Sequence, residues 1–581
     1  MKTINIFFIL LFLGFSGIAQ NKADYSNIIK IYKSKIEKVV NSKTVKGMAI
    51  ALIDGNNILW VENFGYSDFE NKIKADSNTI YGIGSVSKLF TGSAIMQLHE
   101  KNKLDIDKPY SVYSPEFKIK NRFVSEKEIT TRLLLNHHSG LPSDIASGVF
   151  SMKPKPFNSI IKLAEKEYST YPPNYIYSYS NVGYSLLGII IEDVSDETYQ
   201  NHIESNIFAP LEMNSACFIS DNSVKFSKGY NENGDLRKEY GIRPVPAGAI
   251  KSNIKDMAIF TMSFLPDYTG TRILKKATIN EMLSQQNNNS PLDLNKKYGL
   301  TWHFERVSSA GQIYFHTGGT LNHRSLVAIA PKSNLGVVIL SNSVNSGRFH
   351  GIAISLLDTC AIVKGMQPFK GDFKPLPEPE PVIFSDNELD VYTGLYANPK
   401  FVFEVGVEEK KLTTKIQGNQ YLLTPLKDGS FLPHIVLPEN KLHTLSEARI
   451  EFENIENKDL LIFHNLDNDS KQILGSKFKP QKISKIWENR IGTYIITEIN
   501  ESDFPFLGTF QIVIENEILT LKIMEEYEGS EEWKPAILIK SDNVAFPRGL
   551  GRHRGSTLFF EQENGKEILW YSGYKLMRVE N

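Results

Sequence analysis

The chain has 581 residues, of which 41% are hydrophobic and 23% are charged, a composition typical of soluble globular proteins. Its 65 Lys and Arg residues nearly balance its 66 Asp and Glu residues, which leaves a formal net charge of -1. This balance gives no electrostatic reason to expect nucleic acid or an anionic membrane as a partner. The length exceeds what one hydrophobic core holds, so we expect three or four domains.

The first twenty residues have the pattern of a signal peptide. Lys2 precedes an apolar run from Ile4 to Phe15, and small residues follow up to Ala19. The apolar run is too short to span a bilayer comfortably, which favours cleavage after Ala19 or Gln20 over an uncleaved membrane anchor. We therefore expect a mature protein that acts outside the cytoplasm, periplasmic or secreted, without stable membrane insertion.

Residues 21–366 are predicted to form one mixed α/β domain, in which an antiparallel sheet is flanked by helices and carries a helical lobe. The pattern predicts a helix over about 24–40, strands over 48–53 and 58–62, and a helix over about 85–100. Helices and loops follow over about 104–245, then short strands over 298–341 and a last helix over 351–363.

The remaining third of the chain is predicted to be all β. Residues 367–385 form a proline-rich linker, because the alternating prolines of 374–381 suit neither a helix nor a sheet interior. Beyond it, Tyr392–Tyr396 and Leu412–Ile416 match Ile491–Tyr494 and Leu519–Ile523. The repeat predicts two small antiparallel barrels, 386–482 and 483–581; one larger barrel or sandwich is the alternative.

The sequence offers no sign of a metal or a cofactor. HExxH, paired CxxC and GxxxxGK[ST] motifs are all absent from the sequence, so we expect neither a zinc site nor a nucleotide-binding loop. Two cysteines, Cys217 and Cys360, do not make a disulfide framework in a chain of this size. Two separately buried thiols are the simpler interpretation, and pairing stays open.

The first candidate catalytic motif is Ser85-Val86-Ser87-Lys88, which follows a glycine-containing turn and begins a helix. Residues three apart on a helix share a face, so the Lys88 amine reaches the Ser85 hydroxyl. The positive end of the helix and burial both disfavour a charged ammonium, which suits Lys88 to act as a base toward a nucleophilic Ser85. The same spacing recurs, for example at Ser159 and Lys162, so only its context distinguishes Ser85.

Two further motifs complete the candidate site. In Tyr179-Ser180-Asn181, a phenol relays protons and an amide holds a substrate carbonyl. In His316-Thr317-Gly318-Gly319, on a predicted strand, the glycines let a substrate lie along the strand edge, and the Gly319 N–H joins the Ser85 N–H in an oxyanion hole. His316 offers a hydrogen-bond donor, or a charge at lower pH, to the polar end of the substrate. Each motif also occurs by chance, as Tyr396-Ala397-Asn398 and His138-Ser139-Gly140 show.

Taken together in this order, the motifs resemble those of the serine β-lactamase and penicillin-binding superfamily, in its class C and D-aminopeptidase branch. The resemblance covers about residues 25–365 and extends to Leu133–Leu141 and to Ala247–Ser252 with Asp256. It implies that Ser85 is acylated while Lys88 accepts its proton, that Asn181 orients the acyl amide, and that Tyr179 assists the water that releases the product. It also implies lipocalin-like barrels in the C-terminal part.

One departure bears on the substrate. Most class C β-lactamases and penicillin-binding proteins have lysine where this chain has His316, and a neutral imidazole binds a carboxylate less firmly. We therefore expect a hydrolase of small amides, D-amino-acid peptides or simple esters. A β-lactamase or D-Ala-D-Ala carboxypeptidase is the first alternative, and acylation by a fluorescent penicillin followed by fast release would favour it. A catalytically silent binding protein is the second alternative, and the presence of all three complete motifs argues against it. The substrate identity, its stereochemistry and the oligomeric state stay open.

The resemblance to D-aminopeptidases also draws attention to residues 548–555, because a barrel loop borders the active site in those enzymes. The glycine- and arginine-rich run Arg548–Gly555 is a candidate for such a loop. A solvent-exposed hairpin tip is the simpler interpretation.

Overall fold

The computed structural model describes residues 23–40, 44–124, 127–218, 225–345, 349–369, 378–498, 500–504, 508–524, 532–552 and 556–580. The predicted signal peptide lies outside these residues, as do part of the predicted linker and the end of the 548–555 run. Within the described part of the chain, no helix combines the length and apolarity needed to cross a membrane.

The first region is built on a seven-stranded antiparallel sheet. In spatial order its strands are His303–Phe304, Tyr314–Gly319, Arg324–Ala330, Leu335–Ser341, Gly47–Asp54, Asn57–Asp68 and Ile73–Lys74. Three two-stranded sheets pair Tyr81–Gly82 with Lys251–Ser252, Phe150–Ser151 with Gly241–Ile242, and Gly229–Tyr230 with Leu236–Arg237.

Both faces of the large sheet are covered, which explains why its central strands are apolar throughout. Ala51 and Val338 face the core that contains Ile254–Met262 and the helical lobe, whereas Ile50 and Ile339 face Ser26–Val40 and Phe349–Val363. The α-helices of this region are Ser26–Val40, Ser87–Glu100, Thr131–Leu135, Ile160–Ala164, Asn181–Ser195, Tyr199–Ile203, Val245–Gly248, Ile254–Met262, Lys276–Met282 and Phe349–Val363. The predicted mixed α/β architecture with a helical lobe is confirmed.

The C-terminal part forms two β-barrels, as the repeat predicts. Eight strands close the first barrel, in the order Asn419–Pro425, Lys411–Ile416, Val402–Glu408, Gly394–Ala397, Ser470–Phe478, Lys458–Asn465, Ala448–Ile455 and Phe431–Val436, and Leu442–Thr444 pairs outside. The second barrel is nearly closed, in the order Ile518–Ile523, Phe510–Glu515, Gly492–Ile496, Tyr574–Arg578, Lys566–Tyr571, Leu558–Glu563, Val544–Pro547 and Ile537–Ile539.

The two repeats share a detail that their matched sequences anticipate. The buried Tyr396 hydroxyl donates to the Tyr392 carbonyl at 2.9 Å, and the buried Tyr494 hydroxyl donates to the Arg490 carbonyl at 2.8 Å. Each tyrosine lies on the first strand of its barrel and bonds to the carbonyl four residues earlier. Each barrel is also preceded by a short helix, Asp386–Asp390 or Lys485–Glu488.

The second barrel packs directly on the loop that follows the first helices of the lobe. The Ala146 and Ser147 amides donate to the side chain and carbonyl of Ser572, at 2.9 and 3.1 Å. The Met152 amide donates to the Ser502 carbonyl at 2.7 Å. The second barrel therefore packs against the loop of residues 144–152 and fixes its position through these hydrogen bonds.

Neither cysteine is in a disulfide. Cys360 is buried and Cys217 is half-buried, and the two thiols do not pair with each other. The expectation of separate thiols is met, although full burial holds only for Cys360.

Candidate active site

Ser85 is positioned by a tight backbone approach between two elements. It lies in the 3-10 turn Gly84–Val86, directly before the helix Ser87–Glu100, so the α-helix begins two residues later than predicted. Gly84 has φ +51°, and a Cβ there would lie 2.6 Å from the Gly319 nitrogen. Only glycine allows the turn to approach the end of the strand Tyr314–Gly319 this closely.

The two glycines of the third motif do different things. Gly319 lines the cavity beside Ser85. Gly318 is buried on the opposite side of the strand, where a Cβ would lie 2.0 Å from the Ile83 carbonyl oxygen. Gly318 therefore serves the packing of the Ser85 turn, and its contact with substrate along the strand edge stays a prediction.

Lys88 is completely buried and bonded at its amine to three oxygens. Its Nζ lies 2.7 Å from Asn181 Oδ1, 2.7 Å from the Ala247 carbonyl and 3.3 Å from Ser85 Oγ. Burial holds the pKa of Lys88 well below its usual value; Asp144 opposes this shift and Arg552 reinforces it. A neutral amine has two N–H groups, which suffice for the two short bonds and leave its lone pair toward Ser85.

Tyr179 lies on the other side of Ser85. Its phenol interacts with the Ser85 side chain, and its ring centre is 4.7 Å from Lys88 Nζ. Burial raises the pKa of Tyr179 to about 12, while Arg552 and the interaction with Ser85 oppose the rise. The phenol therefore stays protonated at neutral pH.

Asn181 joins Lys88 to a carboxylate that the sequence analysis did not single out. Its Nδ2 donates to Asp144 Oδ1 at 2.7 Å while its Oδ1 accepts from Lys88. Ser180 caps the helix Asn181–Ser195, since its Oγ accepts from the Gly183 amide at 2.9 Å. This cap holds Tyr179 and Asn181 on the two sides of the helix start.

His316 is the most deeply placed of the predicted site residues that line the cavity. It is 2% exposed, its Nδ1 lies 2.7 Å from the Thr317 carbonyl, and its Nε2 has no hydrogen-bond partner among the described residues. Burial, with His303 and Lys88 nearby, holds the pKa of His316 well below its usual range. The ring is therefore neutral at pH 7, and with Nδ1–H bonded to the carbonyl, Nε2 is an acceptor.

These residues surround one cavity of about 450 Å³. Ser85, Tyr179, Asn181, His316 and Gly319 all line it, together with Thr317, His303, Asp144, Arg552, Ala146, Val149 and Phe150. Within the described ranges, no group of His, Cys, Asp or Glu side chains is arranged to hold a metal ion. The Ser85 hydroxyl and the Tyr179 phenol thus line the cavity, and the buried Lys88 amine lies next to Ser85.

The comparison with protein families agrees with this geometry. The model of the Beta-lactamase family matches residues 33–359, more than half of the chain. The chain belongs to the Beta-lactamase family. This Beta-lactamase-family region contains all seven residues predicted from the motifs.

Relatives and solved structures are similar at low identity. Protein flp of Staphylococcus aureus (strain N315) is 26% identical over 324 residues, which are 53% of this chain and 63% of that protein. Teichoic acid D-alanine hydrolase of Staphylococcus aureus (strain MRSA252) is 26% identical over 266 residues, which are 42% of this chain and 64% of that protein. This chain therefore matches less than two thirds of the length of either relative.

Among solved structures, the octameric penicillin-binding protein homologue from Pyrococcus abyssi superposes with a TM-score of 0.52 at 23% identity. The match covers 75% of this chain and 98% of that one. At this identity the likeness shows the fold alone.

Four residues at the site of this Beta-lactamase-family chain were missed by the motif analysis. They are Asp144, Ala247, His303 and Arg552. Asp144 follows the stretch Leu133–Leu141 by three residues, Ala247 begins the run Ala247–Ser252, and Arg552 lies in the run Arg548–Gly555, so three of the four lie in or beside segments that the resemblance singles out. His303 lies in a segment whose sequence has a strand-like pattern but contains no recognisable motif.

Arg552 overturns the simpler interpretation of the 548–555 run. The described part of this run is not a solvent-exposed tip: Leu550 is buried, and the Gly551 amide donates to the Tyr171 hydroxyl at 2.8 Å. The Arg552 guanidinium lies 4.6 Å from the Tyr179 ring centre and 3.8 Å from Asp144 Oδ2. The second barrel therefore contributes a cation to the cavity.

Proposed function

We propose that this chain is an exported serine hydrolase that forms an acyl-enzyme at Ser85 and acts on small amides, D-amino-acid peptides or esters. The observation that carries the proposal is the bonding of the buried Lys88 amine. Asn181 and Ala247 accept both N–H groups of the neutral amine, and its lone pair is left toward Ser85 Oγ. A base held in this way removes the hydroxyl proton as Ser85 attacks a carbonyl.

The remaining steps follow from the other groups. As the Ser85 Oγ–carbon bond forms, the carbonyl oxygen becomes an anion, which the Ser85 and Gly319 N–H groups stabilise. The proton taken by Lys88 passes to the leaving amine or alkoxide through the Tyr179 phenol, and the bond to the leaving group breaks. Water then attacks the carbonyl carbon of the acyl-enzyme while its proton passes through Tyr179 to Lys88. The bond from that carbon to Ser85 Oγ breaks, Lys88 returns the proton to Oγ, and the acid is released.

The charges around the cavity support a substrate with an amino-acid character. Asp144 and Arg552 place opposite charges on its wall, whereas the buried His316 contributes no charge at neutral pH. One relative is named for removing D-alanine from teichoic acid. These points favour D-alanyl or similar D-amino-acid amides and esters.

A β-lactamase or D-Ala-D-Ala carboxypeptidase is the second candidate, and Arg552 is the observation in its favour. The guanidinium supplies the cavity with a permanent cation that His316 does not. Arginine pairs well with carboxylates such as those of penicillins and of C-terminal D-alanine. A silent binding protein has no comparable support, because it needs no base directed at Ser85.

The test compares the mature chain with its Ser85→Ala variant on a D-alanine anilide, a short-chain phenyl ester and a chromogenic cephalosporin. Ser159→Ala is the matched control, since Ser159 and Lys162 have the same spacing outside the site. We expect turnover of the anilide or the ester to be lost in Ser85→Ala and kept in Ser159→Ala. Activity that persists in Ser85→Ala would rule the proposal out, and fast turnover of the cephalosporin alone would favour the second candidate.

Export is part of the same proposal and has its own test. We propose that residues 1–20 are a signal peptide. Expression of the full chain in a bacterial host, followed by N-terminal sequencing of the extracytoplasmic fraction, should find a chain that begins after Ala19 or Gln20. Retention of an intact N-terminus in the cytoplasm would contradict export.

A further inference from the structure

A second cavity lies beside the active site, where three parts of the chain meet. It has a volume of about 520 Å³ and is bordered by residues 292–298 of the catalytic region, by loops and strands of the first barrel, and by residues 550–552 of the second barrel. We call it the interdomain cavity. Arg552 lines both it and the cavity around Ser85, so the two spaces are neighbours across one side chain.

Most of the charged side chains that line the interdomain cavity are positive. Its cations are Lys296, Lys400, Lys471 and Arg552, and its one lining carboxylate is Asp293. Asp293 is already engaged: its oxygens accept from the Tyr177 amide at 2.6 Å and from Asn287 Nδ2 at 2.6 Å, and they lie 2.7 Å from His138 Nε2. It is buried and has little capacity left to neutralise a lysine.

Only one of the three lysines is neutralised by its neighbours. Lys471 bonds to Glu451 at 2.5 Å and to Glu453 at 3.2 Å. Lys296 has no ion pair with any described residue, and Lys400 lies over the Trp533 ring at 4.8 Å without an ion pair in the described ranges. Lys296 is solvent-exposed, but partial desolvation beside the cavity wall lowers the pKa of its amine, and Asp293 partly opposes that shift.

The floor of the interdomain cavity is apolar. Leu292 and Leu550 belong to one buried cluster with Ile176, Leu460 and Ile462, drawn from the catalytic region and both barrels. This shared cluster holds the three parts together, so the cations are presented from a packed surface rather than from separate mobile loops.

We infer that the interdomain cavity is a subsite for an anionic group, a phosphate or a carboxylate, on the part of the substrate that extends past Arg552 from Ser85. Uncompensated cations in a recessed space bind anions more strongly than the same charges on an open surface. The inference rests on the proposed hydrolase function for its link to a substrate, but anion binding itself is measurable without turnover.

The first experiment measures binding of inorganic pyrophosphate to the full-length Ser85→Ala variant by calorimetry at low ionic strength. The test variant adds Lys296→Gln and Lys400→Gln. The control adds Lys297→Gln and Lys415→Gln, which remove the same charge from exposed lysines that do not line the cavity. We expect the test pair to weaken binding by about tenfold or more and the control pair to leave it within about twofold. Equal affinities in both, or no binding at all, would overturn the inference.

The second experiment links the subsite to catalysis. Wild type is given a neutral D-alanyl ester and matched esters with a phosphate or a carboxylate on the alcohol side, and a second set carries the anion on the acyl side. We expect at least one anionic ester to be preferred in kcat/KM, and the test pair, here with Ser85 intact, to abolish that preference while hydrolysis of the neutral ester is kept. Hydrolysis without any preference would overturn the subsite. Pyrophosphate binding without hydrolysis of any ester would instead contradict the proposed function and leave the anion site standing.

Discussion

The Arg552 guanidinium lies 4.6 Å from the centre of the Tyr179 ring. Tyr179 precedes a helix of the catalytic region, and Arg552 follows a strand of the second barrel, so the contact joins the catalytic region to the second barrel at the active site. The cation is also close enough to lower the pKa values of both Lys88 and Tyr179. Its removal should therefore change the pH dependence of the enzyme as well as its substrate preference.

Replacing Arg552 by Gln should move the acid limb of the kcat/KM profile to higher pH. The cation disfavours protonated Lys88, so its loss raises the pKa of Lys88 and delays formation of the neutral base. We expect a shift of roughly half a unit to one unit. The measurement is the pH–rate profile on a neutral ester, and Arg552→Lys, which keeps the charge, should stay close to wild type. An unmoved acid limb in Arg552→Gln would show that the guanidinium does not act on Lys88.

Replacing Asp144 by Asn should move the same limb in the opposite direction. The carboxylate favours protonated Lys88, so its loss lowers the pKa of Lys88 further. Asn keeps an oxygen that accepts from Asn181 Nδ2, which separates the effect of charge from that of the hydrogen bond. We expect a shift to lower pH of similar size, roughly half a unit to one unit. A shift to higher pH would contradict the electrostatic assignment.

Gly84→Ala should greatly reduce activity because the added Cβ would meet the Gly319 backbone at 2.6 Å. Moving the Ser85 turn away from the strand by even about 1 Å separates the nucleophile from the oxyanion donors and costs about a hundredfold in rate. Gly365→Ala is the control, since Gly365 also has a positive φ, +93°, but has no atom within 4 Å of the new Cβ. Both variants should lose some thermal stability, because both glycines have a positive φ. Esterase assays should show a large loss of activity only in Gly84→Ala, and an equal loss of activity in Gly365→Ala would contradict the packing argument.

Three histidines near the site, the buried His137 and His316 and the half-buried His303, should make the catalytic region less stable in acid. Burial holds their folded pKa values below 6.5, to about 4 for His303, so between these values the unfolded chain binds more protons. Stability should therefore fall as pH decreases from about 6.5 toward 4, with a slope of up to about 1.4 kcal/mol per pH unit for each histidine.

Differential scanning calorimetry between pH 7.5 and 4.5 measures this loss. His303→Asn should reduce the pH dependence of the catalytic-region transition, whereas replacement of the exposed His443 in the first barrel should not. A pH dependence that is the same in His303→Asn and wild type would contradict the prediction.

Glu167 should give the opposite pH dependence at the contact with the second barrel. It is buried, its Oε2 accepts from the Thr557 amide at 3.1 Å, and burial raises its pKa to about 7. Between about pH 4.5 and 7, Glu167 is protonated in the folded state but not in the unfolded chain. The free energy of unfolding therefore falls as pH rises toward 7, and this contribution is lost above 7. Glu167→Gln keeps an acceptor for Thr557 and should raise Tm at pH 8 relative to wild type, but not at pH 5. A lower Tm at both pH values would mean that the carboxylate stabilises the interface.

The sequence by itself determined the parts of this protein that depend on local spacing. The three-residue interval from Ser85 to Lys88 puts both side chains on one side of a helix start, and the apolar run Met48–Ile53 predicts a strand. The two barrels were also predictable, because their first strands and tyrosines repeat in the sequence. Such features follow from the period of a helix or strand, which any short segment records.

Only the tertiary structure decided which distant residues complete the cavity. The resemblance drew attention to Arg548–Gly555, but nothing in the sequence indicates that Arg552 packs on Tyr179 or that Asp144 bonds to Asn181. The close approach of Gly318 to the Ile83 carbonyl is likewise visible only in the structure. Both barrels also border the space beyond Arg552, which no repeat or motif implied. These contacts join residues far apart in the chain, and they arise because separate apolar faces must be buried against one another, which the pattern within a single segment does not specify.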